Sequence, residues 1–324
     1  MAGGTLLYLS RADVERVNLS MRETMETLEQ MFKEKGEGRV EMPPKPGIHP
    51  RPDAFIHAMP AYIPSMESAG VKWVSGYPRN KDKGLPYITG LLILNDPETG
   101  IPTALMDCTW ITAKRTGAAT ALSAKYLARK DSSTVGVVAC GVQGRSNLEA
   151  LTCQFPVTHV KAYDIHPERA GTYATEMSRA LGVNVEAVRE VSAAVKGMDI
   201  VVTSGPILKR PHASIPAGWL KPGAFASLVD FDSYWQGEAL READKIATDD
   251  REQMRYYRQE GYFRETPEPY ADLGELATGR KKGRESHFER TIAINLGLAL
   301  DDMAVAILVC RRAMAAGIGT PLPL

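Results

Sequence analysis

The chain has 324 residues, 44% of them apolar and 24% charged, with 39 basic residues set against 39 acidic ones. That length and balance describe a globular protein with room for two domains, and they exclude a mainly disordered or collagen-like chain. An even charge creates no long-range field for a polyanion, so no nucleic-acid partner is expected.

The opening MAGGTLLYLSRADVERV carries no basic leader, and its apolar run is too short for a secretory signal. Cys108, Cys140, Cys153 and Cys310 are scattered without a C-x-x-C pair. Reduced thiols in the cytoplasm are therefore expected, and no metal site, since the six histidines show no ligand spacing either. Ser10 to about Lys35 predicts helix in two pieces, because Ser10-x-x-Asp13 and Ser20-x-x-Glu23 form capping boxes and Gly36 and Gly38 supply the stop. From Arg39 to Leu105 prolines and short β-rich runs such as VKWVSGY and YITGLLILN alternate with turns, which predicts an antiparallel sheet. Helix returns in TWITAKRTGAATALSAKYLARKDSS, whose many small residues let backbones approach closely.

From Val135 to about Asp250, six short strands (TVGVVAC, HVKAYDI, VNVEAV, DIVVTSG, AFASLVDFD, KIATDD) alternate with helical segments. That pattern predicts βαβ units and a parallel sheet covered on both faces. The 250–290 stretch is charged and loop-rich. TIAINLGLALDDMAVAILVC is apolar but holds Asp301 and Asp302 at its middle, which predicts a buried or interface helix and argues against a membrane span. The last helix, about Leu296 to Ala316, ends at GIGTPLPL, where Gly and Pro forbid continuation.

VGVVACGVQGRSNLEAL, Val135 to Leu151, has the context of a dinucleotide-binding turn. A strand precedes it, a helix follows, and Asp164 closes the next strand about twenty residues on. Gly141, Val142, Gln143 and Gly144 would bring backbone N–H groups to a pyrophosphate at the helix N-terminus, and Arg145 would add a cation. Ala139 occupies the first glycine position, which is tolerable if its φ stays negative. Asp164 would accept the ribose hydroxyls, so NAD is favoured over NADP, although His166 and Arg169 stand nearby. Ser204, in the small-residue end of VVTSGPI, would border the same crevice. The fold class is thus α/β, with a Rossmann-type doubly wound NAD domain beside an α+β domain.

The residue types also suit an amino-acid or imino-acid site. Arg115 can grip a carboxylate through two parallel N–H donors, and its segment is poor in acids that would otherwise occupy it. Lys72 lies between Val71 and Trp73 in a strand-like run, and among other cations its pKa should fall, as suits a proton donor. Asp230 and Asp232 lie at the carboxyl end of a strand, where alternation would put both on one face. Asp230 reads as a cap or turn residue, Asp232 as the proton carrier. Arg51, His57 and Arg79 could admit a second carboxylate, as in iminosuccinate.

The chain resembles the ornithine cyclodeaminase/μ-crystallin family, which includes archaeal-type alanine dehydrogenases and several imine reductases. The matching segments are HAMPAYI (57–63), GVKWVSGYPRN (70–80), TGIPTALMDCTWITAKRTGAATALSAKYLAR (99–129), GVQGRSNLEAL, KPGAFASLVDFD (221–232) and NLGLALDDMA (295–304). The resemblance implies that Lys72 lies beside the substrate, that Arg115 and Lys45, which falls near a further basic position of the family, hold its carboxylate, and that Asp232 falls at the catalytic aspartate of the cyclodeaminases. By looser matching it sets Thr116 and Asn295 near the cofactor. It implies a substrate-binding and dimerisation domain (1–118 plus 303–324), an NAD domain (119–302), and a homodimer joined through the GLLILN and PTALMD strands.

The expected function is reduction of the C=N bond of a small α-imino acid by NADH: imine reduction, with amino-acid dehydrogenation as its reverse, and with alanine or aspartate among the candidate products. The alternatives are an ornithine or lysine cyclodeaminase that recycles its NAD, and a non-catalytic nucleotide-dependent binding protein. The small amino or imino acid is the expected partner, with neither nucleic acid nor membrane.

Overall fold

The computed structural model describes residues 4–324, the side chain of Lys81 apart. The chain forms two compact units, one of the residues up to Arg115 together with Gly297–Leu324, the other of Thr116–Leu296. The second crossing falls earlier than the expected 303, so the whole of the last helix belongs to the first unit.

The first unit holds β1 (Thr5–Leu9), α1 (Arg11–Arg16), α2 (Met21–Gly36), β2 (Gly47–Ile48), β3 (Phe55–Ile63), β4 (Ser68–Gly76), β5 (Ile88–Asn95) and β6 (Pro102–Asp107). Both capping boxes form as expected, Ser10 with Asp13 and Ser20 with Glu23. Strands β2 to β6 pair antiparallel in sequence order. Along β4 the side chains alternate: Lys72 is buried on one face and Trp73 half exposed on the other. Trp73 pairs with the similarly exposed Leu91 of β5.

The chain enters the second unit within α3 (Thr109–Leu127). There follow β7 (Thr134–Val138), α4 (Val142–Gln154), β8 (His159–Tyr163), α5 (Pro167–Leu181), β9 (Asn184–Ala187), α6 (Val191–Val195) and β10 (Ile200–Thr203). The unit closes with β11 (Phe225–Leu228), α7 (Gly237–Arg241), β12 (Lys245–Thr248), α8 (Arg251–Gln259), β13 (Ala271–Asp272), α9 (Leu273–Ala277) and β14 (Thr291–Ile294). All eight strands are parallel, in the order β13-β12-β14-β11-β10-β7-β8-β9. From β7 the chain winds outward first through β8 and β9, then returns to β10 on the other side. The order therefore reverses between β7 and β10, and in open sheets of this kind ligands bind beyond the carboxyl ends of strands at that reversal.

The chain returns to the first unit with α10 (Ala299–Ala315) and β15 (Thr320–Pro323). Two expectations fail in this region. Thr291–Ile294, read within an apolar helical stretch, is a strand inserted between β11 and β12. Its four residues are buried, so a uniformly apolar run concealed the period that distinguishes strand from helix. The C-terminal TPLP, read as a terminator, adds an edge strand antiparallel to β1, a place where proline is admitted. Helix α10 is buried along Ala299–Ala306 and packs on β3, β4 and α2. Among the described residues no helix is long and apolar enough to cross a membrane, and no group of side chains could hold a metal ion. None of the four cysteines is in a disulfide.

Candidate active site

In the first unit, four predicted residues and one unpredicted pair converge. Lys72 projects from β4 toward the first turn of α10 and makes an ion pair with Asp302, with both side chains buried. Arg115, on α3, donates from Nε to the other oxygen of Asp302 at 3.2 Å, and its Nη1 lies 3.6 Å from Asp301. The acid-poor surroundings of Arg115 in sequence are thus not its surroundings in space: α10 supplies two carboxylates. Gly297, with φ +76°, makes room for the guanidinium, since a Cβ there would overlap Nη1. Lys45 is buried and donates to the Gly297 carbonyl at 3.0 Å. Asp301 and Asp302 were visible in the sequence only as carboxylates inside an apolar run.

Burial lowers the Lys72 pKa; Asp302 opposes that shift and Arg115 adds to it. His57, half-buried and stacked on Phe55 at 4.3 Å between ring centroids, is pushed down to about 3, first by burial and then by the positive charges of Lys45, His49 and Lys72. It is neutral at physiological pH. A depressed folded-state pKa gives stability that is present above the unfolded value and is lost as pH falls toward 3. Thermal unfolding of the wild type and of His57→Gln at pH 7 and pH 4.5 should accordingly show a smaller acid-induced drop in Tm for the variant.

Arg51 and Arg79 do not join this cluster. Arg51 is exposed and donates to the carbonyl of its neighbour Pro50, while Arg79 is 95% exposed in its side chain and faces Asp82. Both lie on exposed segments, so neither arginine suggested for a second carboxylate is brought to the buried cations, whereas the third group, His57, feels the charges of Lys45 and Lys72.

In the second unit, the nucleotide turn forms where the sequence placed it, at the carboxyl end of β7. Gly141 is the N-cap of α4 with no side-chain cap, so the first-turn N–H groups have no side chain of that residue upon them. A Cβ on Gly141 would meet nothing within 4 Å, whereas one on Gly144 would lie 2.6 Å from the Ala139 carbonyl. Open space above an uncapped helix start, over a glycine that must stay a glycine, is a cradle that fits a pyrophosphate. Val142 is exposed beside it, and Gln143 accepts from Ser146 within the first turn. Asp164 receives the N–H groups of Cys140 (2.9 Å) and His166 (3.0 Å), which holds its carboxylate beside the turn.

Two details differ from expectation. Ala139 has φ +77°, where a negative angle was required for it to be comfortable. The turn imposes the left-handed conformation, and an L-residue there costs roughly 1 kcal/mol. Ala139→Gly should therefore raise the Tm of the unliganded protein by a few degrees, measured calorimetrically. Arg145 does not stand over the cradle. It lies across the Tyr173 ring and bonds to Glu176 and to the carbonyls of Cys140 and Gly141, fastening the turn from its own side.

Ser204 ties the end of β10 to this turn by donating to the Ala139 carbonyl at 3.0 Å. Thr116 is buried at the contact of α3 with α4, where a Cβ on its neighbour Gly117 would overlap the Ser146 carbonyl. Asn295, just beyond β14, accepts from Ser123 at 3.2 Å, and its buried Nδ2 has no partner among the described residues.

Asp230 and Asp232 part company, against the alternation argument. The strand ends at Leu228 and Phe231 takes φ +62°, which breaks the period. Asp230 reaches back to the end of β10, accepting from Thr203 (2.7 Å) and Gly205 (3.0 Å), and full burial pushes its carboxyl up to about 7. Asp232 turns to Thr266 at 3.0 Å and lines a cavity of about 590 Å³ with Trp235, Phe263 and Arg264. Its pKa is raised by burial, and its Oδ1 has no partner among the described residues.

Known proteins share this architecture from end to end. A profile of the ornithine cyclodeaminase/mu-crystallin family matches residues 6–317. The alanine dehydrogenase of Archaeoglobus fulgidus is 37% identical over 327 residues, covering 98% of each chain. The Thermococcus litoralis Δ1-pyrroline-2-carboxylate reductase, solved with NADH and L-proline, superposes with a TM-score of 0.89 at 35% identity, over 97% of this chain and 99% of its own. An archaeal alanine dehydrogenase dimer with bound NAD superposes with a TM-score of 0.88 at 35% identity, over 98% and 99%. With residues 6–317 matched by the family profile and 98% of its length covered by a 37% identical relative, the chain belongs to the ornithine cyclodeaminase/mu-crystallin family.

Proposed function

We propose that the chain is an NAD(H)-dependent oxidoreductase that reduces the C=N bond of a small α-imino acid and, in reverse, oxidises the corresponding amino acid. The observation that carries this reading is the buried union of Lys72 and Arg115 on Asp302, a proton donor and a carboxylate fork fixed on one residue. Arg115, with Lys45, binds the substrate carboxylate through charge-assisted hydrogen bonds. Lys72 places its ammonium on the imine nitrogen and gives up a proton as the nitrogen becomes an amine. Its lowered pKa makes that transfer easier than from an ordinary lysine. The Gly141–Gly144 turn and Asp164 would hold NAD(H), which when bound would supply the hydride as NADH or accept it as NAD+.

Asp232 is proposed as the second proton group, on the strength of its raised pKa, its place on the cavity wall and an Oδ1 without a hydrogen-bond partner among the described residues. The same feature favours the second reading, cyclodeamination of an ornithine-type diamine with NAD regenerated in each cycle. The exposed apolar pair Trp73 and Leu91 suits the expected homodimer face.

The test supplies the purified protein with NADH, ammonia and pyruvate, oxaloacetate, glyoxylate or 2-oxobutyrate, and follows NADH absorbance. A parallel arm gives ornithine or lysine with catalytic NAD and records ammonia. Stoichiometric NADH loss with one oxo acid supports the reductase. Ammonia release without net NADH change installs the cyclodeaminase, and silence in both arms with NADH bound leaves a binding protein.

A further inference from the structure

We infer that Asp302 is a positioning residue that holds the Lys72 ammonium and the Arg115 guanidinium in working register and keeps Lys72 protonated. The inference rests on the function proposed above. One carboxylate serves both cations, Oδ2 toward Lys72 and Oδ1 toward Arg115 Nε at 3.2 Å. The neighbouring Asp301 divides its role, since its Oδ2 accepts the Leu298 N–H at 3.0 Å, capping α10, and also lies 3.6 Å from Arg115 Nη1. Asp302 is the one that meets Lys72 and Arg115 together, from the first turn of the same helix, where the dipole favours a negative charge.

Titratable groups act on Lys72 from the elements around it: Asp302 from α10, Arg115 from α3, Cys108 from the turn before it and His57 from β3. Asp301 of α10 faces Arg115, and Lys45, from the segment ahead of β2, acts on His57. Burial pushes the Cys108 thiol up to about 11, and His57 is neutral, so neither carries charge at neutral pH. Arg115 repels a protonated Lys72. Asp302 is the anion in direct contact with it, and two cations held this close at full burial require that contact. A buried ion cluster adds little net stability over apolar packing of equal volume. What this cluster adds is orientation: it turns the Nε edge of Arg115 to Asp302 and sets Gly297 against Nη1.

The test uses the full chain labelled with ε-13C-lysine, the Lys72 resonance being identified by its disappearance in Lys72→Met. In Asp302→Asn the Lys72 titration midpoint should fall by at least one pH unit, because the lost carboxylate favoured the charged form. The alkaline limb of kcat for imine reduction should move to lower pH by a similar amount, and the KM of the imino acid should rise at least ten-fold as Arg115 loses its anchor. An unchanged midpoint overturns the inference. Should Asp302→Asn fail to fold, Asp302→Glu keeps the charge and displaces it. The midpoint should then hold while KM rises at least three-fold, and an unchanged KM overturns the inference. The titration needs no turnover. A shifted midpoint in a protein that reduces no imine would sink the proposed reaction while leaving the hold of Asp302 on Lys72 established.

Discussion

Lys72→Met should lower kcat for imine reduction by about 10³-fold, within the range that a positioned general acid contributes. Methionine has nearly the length and volume of the lysine stem, so the β4 position stays filled. What disappears is a buried ammonium whose pKa desolvation has pulled down. The loss should fall on kcat, since Arg115 and Lys45 still hold the carboxylate and the nucleotide turn is untouched. Removing one partner of a buried ion pair costs about 3–5 kcal/mol, so Tm should fall as well. Single-turnover rates on protein shown to bind NADH normally separate the two effects. A variant that keeps within ten-fold of the wild-type rate would remove Lys72 from the proton path.

Gly144→Val should raise the Kd for NADH at least 100-fold, equivalent to about 2.7 kcal/mol. Its Cβ would stand 2.6 Å from the Ala139 carbonyl and 3.2 Å from Val137 Cγ1. The first contact is with backbone, and Ala139 is already in a left-handed conformation with no comfortable way to retreat. The helix start must move outward, and Tyr173, which donates to the Gly144 carbonyl at 2.9 Å, moves with it. Gly141→Ala is the informative companion. It has φ −80° and nothing within 4 Å of its Cβ, so the unliganded Tm should not change. If a pyrophosphate fills that space, NADH affinity should nevertheless weaken. Fluorescence titration of both variants reads this directly, and a Gly141→Ala protein with wild-type affinity would place the phosphates elsewhere.

Much of the architecture could be read locally. Ser10–Asp13 and Ser20–Glu23 announce their helices because a capping box needs only residues three apart. The strand–turn–helix of Val135–Leu151 and the acid at Asp164 are likewise neighbours in sequence or nearly so. The failures share a cause. Thr291–Ile294 and Thr320–Pro323 are strands only because partners exist for them, β11 and β12 in one case and β1 in the other. Where a strand is buried on both faces, the alternation that would reveal it is absent.

The site divides the same way. Arg115 could be named as a carboxylate clamp and Lys72 as a proton donor from residue type, Gly141 and Gly144 as a phosphate turn from local spacing, and Lys45 only through the family resemblance. Those chemical capacities, the two-unit organisation and the order of the βαβ elements were all written in the linear chain. Which groups meet was settled by folding. Asp302 reaches Arg115 across 187 residues, a pairing that no period of 2 or 3.6 encodes. The folded chain also separated Asp230 from Asp232, withheld Arg51 from the buried cations, and set Ala139 at a positive φ. Such outcomes depend on how closely packed backbones fix directions and distances between distant segments, and that information exists only once the chain has folded.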